Sequence, residues 1–122
     1  MMSRPDPSAI VDAQIDAYVK GDVAAFVACY APDAVCTRLP GGQVIASGHD
    51  EIASVYGRLF SAPERRIRFE LTARICLGDF VTDHERIIRE RDGWTAEAIA
   101  LYEVRDGLIT RVWLVEPGAS GG

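Results

Sequence analysis

Two histidines and three cysteines are all that this chain of 122 residues offers a soft or borderline metal ion. Cys29, Cys36 and Cys76 stand far apart with no C-x-x-C spacing, which excludes a zinc knuckle and a disulfide frame. The pattern predicts free, buried thiols in a reducing compartment, and hence a cytoplasmic protein with no metal and no cofactor. Basic side chains are also scarce: 13 Lys and Arg face 18 Asp and Glu, a net charge of −5. Nucleic-acid binding wants a clustered basic surface, so no nucleic-acid partner is expected. The densest basic run, Arg65-Arg66-Ile67-Arg68, reads as a solvated strand entry. No stretch reaches the roughly 18 apolar residues that a membrane span needs. The segment Met1 to Ser8 has no apolar core, so neither a membrane partner nor a secretory signal is expected. Nucleophile elbows, phosphate-cradling glycine loops, H-E-x-x-H and calcium loops do not occur.

What is present is a globular balance, 48% hydrophobic and 25% charged, enough for one domain with a real core. The expected domain spans residues 6–117, with flexible tails at 1–5 and 118–122. Asp6-Pro7 pairs a good N-cap with proline at the first helical position, where its missing N–H costs nothing. Val11, Ile15, Tyr18 and Val19 recur at helical spacing, and Gly21 supplies a left-handed stop. Asp22 caps a second helix with a buried stripe of Val23, Phe26, Val27 and Tyr30, ended by Ala31-Pro32-Asp33. Val35 to Leu39 and Val44 to Ala46 read as two short strands around Pro40-Gly41-Gly42. Asp50 is the expected cap of a third helix carrying Ile52, Val55, Tyr56, Leu59 and Phe60 on its inner side.

From Ile67 the apolar period changes to two. Ile67, Phe69, Leu71, Ala73, Ile75 and Leu77 alternate with polar neighbours as one strand. Gly78-Asp79, Asp92-Gly93 and Asp106-Gly107 signal turns between three further strands near 80–91, 94–105 and 108–116. The fold class is therefore α+β. A cone-shaped, curved antiparallel sheet of two short strands plus a four-strand meander packs on three helices, in the order α-α-β-β-α-β-β-β-β.

The faces of that sheet predict where chemistry sits. Trp94, Ala96, Ala98, Ala100, Tyr102 and Val104 form an uncharged face that turns toward the helices, and its alanines leave volume for a ligand pocket. Ala98, Ala100 and Tyr102 are thus candidate pocket residues. Tyr18, Tyr30 and Tyr56 join them from the helices, with hydroxyls that need partners when buried, and Gln14 can donate to a ligand oxygen. In Thr82-Asp83-His84-Glu85-Arg86 either both carboxylates face inward or His84 does. A carboxylate beside an alanine-lined cavity would be desolvated and fit for acid–base work near neutral pH. The other outcome is exposed cross-strand charge pairing. His49 is assigned a local role before the third helix. Trp113, Ile99 and Leu101 fall on the sheet's outer face, where an apolar patch predicts a homodimer through the sheet.

Gly21-Asp22, Tyr30-Ala31-Pro32-Asp33-Ala34-Val35, Gly48-His49-Asp50-Glu51-Ile52 and Tyr102-Glu103-Val104-Arg105-Asp106-Gly107-Leu108-Ile109 together give the chain a family likeness. It resembles the SnoaL-like branch of the nuclear transport factor two superfamily, to which the bacterial ketosteroid isomerases also belong, over Ile10 to Glu116. An ungapped match places the isomerases' oxyanion-hole tyrosine on Gln14, their general-base aspartate on Arg38 and their protonated aspartic acid near Ala100 or Leu101. An arginine stays protonated and cannot abstract a proton, so the resemblance implies the fold without the isomerase mechanism. The same match turns Asp83, Glu85 and Ile87 inward and sets Arg38 at the pocket mouth, to pair with a carboxylate or an anionic substrate group. Two functional expectations follow. The first is a pocket for a small, largely apolar molecule, contacted by Gln14, Arg38 and the tyrosines. The second is a cofactor-independent acid–base enzyme of isomerase, dehydratase or hydrolase type using Asp83 or Glu85.

Overall fold

The structure, a computed structural model, describes residues 6–63 and 65–117. The tails expected at 1–5 and 118–122 lie outside the described residues. Helix α1 (Pro7–Lys20) starts as its sequence dictates: the Asp6 carboxylate accepts the Ser8 N–H at 3.0 Å, and Gly21 closes the helix at φ 72°. That left-handed angle suits glycine, and an added Cβ there would also crowd the Arg65 guanidinium at 3.3 Å. Asp22 caps α2 (Val23–Ala28) through the Ala25 N–H at 3.0 Å.

Helix α2 ends sooner than its apolar stripe predicts. Tyr30 belongs to β1 (Tyr30–Leu39), because the residue before Pro32 disfavours helical backbone and the chain runs on extended. After β2 (Gln43–Ser47), α3 (Gly48–Phe60) begins two residues before the expected Asp50 cap. Glu51 reaches back instead, accepting the Ser47 N–H at 2.8 Å. The remaining strands are β3 (Ile67–Leu77), β4 (Phe80–Arg89), β5 (Thr95–Arg105) and β6 (Leu108–Val115).

The six strands form one curved, unclosed sheet in the order β2-β1-β6-β5-β4-β3. Neighbours pair antiparallel except β1 and β6, which run parallel where the chain returns from the meander to the first strand. The concave side is packed by the helices over a core that includes Val11, Phe26, Tyr30, Ile52, Val81, Ala100, Tyr102 and Ile109. Phe26 is its aromatic hub, with ring centroids 4.6 Å from Tyr56, 5.1 Å from Tyr30 and 5.3 Å from Phe60. Among the described residues no helix is long and apolar enough to cross a membrane.

Strict alternation along β3 does not hold. Leu71 faces Glu85 and Ala73 faces the next residue, His84, so Thr72 is an extra residue that bulges the strand. Beyond the bulge every side chain changes face. Ile75 and Leu77, expected inward, are 70% and 79% exposed on the convex side, and Arg74 turns inward opposite Asp83.

Candidate functional site

The register of β4 on β5 builds the site. Asp83 lies opposite Ala100, Glu85 opposite Ala98 and Ile87 opposite Ala96, all on the concave face. The alanines cannot fill the space in front of their larger neighbours, and the helices bridge over it. A cavity of about 240 Å3 results. That lies just below the roughly 300–1,000 Å3 usual for drug-sized ligands, so it suits a smaller molecule. Its walls are Ile15, Tyr18, Phe26, Tyr30, Ile45, Val55, Tyr56, Leu59, Phe69, Ile87, Ala96, Ala98, Tyr102, Val112 and Leu114. Its polar groups are Gln14, Glu85, Arg38, Glu97 and Glu116.

Two carboxylates one pleat apart have opposite fates. Asp83 is fully buried, and both its oxygens are taken by one guanidinium: Arg74 Nε donates to Oδ1 at 2.7 Å and Arg74 Nη2 to Oδ2 at 2.9 Å. Arg74 also meets Asp12 of α1 at 2.8 Å. Asp83 does not line the cavity, and each of its oxygens accepts a hydrogen bond from Arg74. Glu85 does line the cavity, is 9% exposed, and has a buried Oε2 with no hydrogen-bond partner among the described residues. Burial first, and then the charges of Asp83 and Glu116, push its pKa up to about 7 against the lowering pull of Arg74. Glu85 therefore exchanges its proton near neutral pH.

The helix-side residues close the site. Tyr30 Oη donates to Gln14 Oε1 at 2.8 Å, and Gln14 and Tyr102 line the cavity together. Burial pushes the hydroxyls of Tyr30 and Tyr102 well above their usual range and raises Tyr18 and Tyr56, so all four stay neutral hydrogen-bonding groups. Gln14, Tyr18, Tyr30, Tyr56, Ala98 and Tyr102 thus meet Glu85 around one cavity. Ala100 does not line it, because it packs against buried Asp83 behind the wall.

Arg38 lies at the mouth, with its side chain 46% exposed. It pairs with Glu116 at 3.5 Å and its Nη1 donates to Gln43 at 3.4 Å. The pairing expected between Arg38 and a β4 carboxylate is made by Arg74 instead. His84 faces the convex side near Glu97, at 3.8 Å, and His49 Nε2 sits 2.7 Å from the Tyr30 carbonyl oxygen. Arg74, Phe69, Glu97 and Glu116 were not foreseen, whereas Ile87 was expected inward and lines the cavity. Arg74 was hidden by the bulge. Among the described residues no group of three His, Cys, Asp or Glu side chains is placed to hold a metal ion.

A family model described as a SnoaL-like domain matches residues 11–112. No curated protein matches the chain. Among solved structures the chain is similar to an uncharacterized cystatin-fold protein from Novosphingobium aromaticivorans, at 22% identity over 95% of this chain and 100% of that one, TM-score 0.78. It is also similar to a hypothetical protein with a ketosteroid isomerase-like fold from Catenulispora acidiphila, in complex with trimethylamine, at 18% identity over 97% of this chain and 90% of that one, TM-score 0.75. An NTF2-like protein of unknown function from Mesorhizobium loti matches at 22% identity over 97% of this chain and 100% of that one, TM-score 0.73. At these identities the likeness is one of fold.

Proposed function

The chain belongs to the SnoaL-like domain family, and from that premise we propose that it binds a small, largely apolar molecule in its cone and transfers a proton with Glu85. The observation that carries this reading is the Glu85 carboxyl: buried, partnerless at Oε2 among the described residues, and set against apolar and aromatic walls. A group whose pKa stands near the working pH serves both as acid and as base. The Gln14 amide, whose oxygen accepts the Tyr30 hydroxyl, keeps its N–H groups to steady charge developing on a ligand oxygen. No metal or organic cofactor is required for such a step. The Catenulispora acidiphila complex with trimethylamine supports a small-molecule ligand.

Deuterium incorporation from D2O into a panel of small enolisable ketones, followed by NMR, tests the proton-transfer step. Wild-type protein is expected to accelerate exchange and Glu85→Gln to lose that acceleration by about 100-fold or more. Equal rates in the two proteins, or none above the buffer rate, would leave a cavity that binds without chemistry. We propose further that two copies pair through the convex face of the sheet, and that the protein works in the cytoplasm, where its buried Cys29 and Cys36 stay as thiols.

A further inference from the structure

We propose that the molecule this cavity takes is a small organic cation, an alkylammonium ion whose positive nitrogen sits beside Glu85 with its alkyl groups against the aromatic wall. The inference rests on the reading of the cavity as the ligand site and adds the charge of the ligand. Two carboxylates turn toward the cavity, Glu85 and Glu116, against one guanidinium, Arg38; Glu97 touches its rim but sends its carboxylate to the convex side, toward His84. That guanidinium is already paired with Glu116 at the mouth and half-exposed to water. The strong interior cation, Arg74, is spent on Asp83 and Asp12. Among the described residues no hydrogen bond reaches the buried Glu85 Oε2. A buried carboxylate without a partner is costly, and a positive ligand compensates it where a neutral apolar one does not.

The wall has the matching chemistry. Phe26 and Tyr56 line the same cavity, as does Tyr18, whose ring already holds the Arg65 guanidinium at 5.0 Å, and aromatic faces attract cations strongly when both are desolvated. Ammonium groups carrying alkyl substituents are weakly hydrated and gain most from such a site. A phosphate or carboxylate ligand would meet the Glu85 and Glu116 carboxylates and one occupied arginine, so anions are disfavoured.

Choline and 3,3-dimethylbutan-1-ol have the same shape and differ in charge, so calorimetric titration of both into wild-type protein at pH 8, with sodium chloride matching the ionic strength, reads the charge alone. Choline is expected to bind about tenfold or more tightly than the alcohol, a preference worth roughly 1.4 kcal/mol. Glu85→Gln is expected to abolish the preference. Equal binding of the two probes, or tighter binding of the alcohol, overturns the cation and leaves the apolar cavity reading standing. Binding of neither overturns both. The wild-type comparison decides the matter whether or not the variant folds.

Discussion

At the scale of residues, Asp83 and Glu85 show how neighbours decide what a carboxylate does. They share a strand, a face and near-complete burial. Arg74 reaches one and not the other, so Asp83 is held as an ion pair while Glu85 stands alone among the described residues. The consequence is measurable as a pH dependence of stability. The folded protein holds the Glu85 proton up to about pH 7, whereas an unfolded chain releases it near the ordinary carboxylate value of 4.5. Between those pH values the folded state binds more protons than the unfolded one, so stability from this group falls as pH rises and the full penalty stands above pH 7. The penalty is about 3 kcal/mol in order of magnitude. Glu85→Gln should therefore gain melting temperature over wild type at pH 8 and little or none at pH 5, read by thermal unfolding. An equal gain at both pH values would assign the effect to packing.

At the scale of elements, the Thr72 bulge matters most. An unbulged β3 would carry Ile75 inward and Arg74 into solvent, leaving Asp83 buried without a cation. The single extra residue rotates the second half of the strand and pins α1, β3 and β4 together through Asp12, Arg74 and Asp83. Arg74→Ala should destabilise the fold by about 3–5 kcal/mol in urea unfolding, because it strands a buried charge. Arg74→Ala together with Asp83→Ala should recover part of that loss, since the second change removes the stranded group. The capped helices were legible because caps are local: Asp6, Gly21 and Asp22 act within three residues of themselves. The bulge was not, because an inserted residue leaves the two-residue alternation of side-chain types unchanged and appears only when β3 is laid against β4.

At the scale of the whole molecule, one layer of helices covers one side of the sheet and leaves the convex side bare. Ile75, Thr82, Leu101 and Trp113 lie in one cross-strand row there, with Ile99 opposite Val115 beside it. Arg86 faces Glu97 at one end of that patch and Glu103 faces Arg111 at the other, so a two-fold copy meets charges of both signs. Light scattering after size exclusion should show a dimer for wild type, with Ile75→Glu plus Ile99→Glu shifting it to monomer while the circular dichroism spectrum is kept. Both side chains are exposed in the single chain, at 70% and 44%, so the pair leaves its core intact. A wild-type monomer at tens of micromolar would refute the pairing.

The sequence alone determined the element order, the caps of the first two helices, the turns and the inward face of β5, because each depends on residues close along the chain or on a regular period. Alternation along β4 put Asp83 and Glu85 on one face, and the family resemblance, rather than the alternation, turned that face inward. Tertiary structure alone decided which carboxylate is ion-paired and which lines the cavity. That choice turned on a guanidinium from the next strand, aimed by a bulge that only pairing reveals. It likewise set Arg38 against Glu116 and put Ala100 behind the cavity wall, because partners distant in sequence compete for each charge and each void.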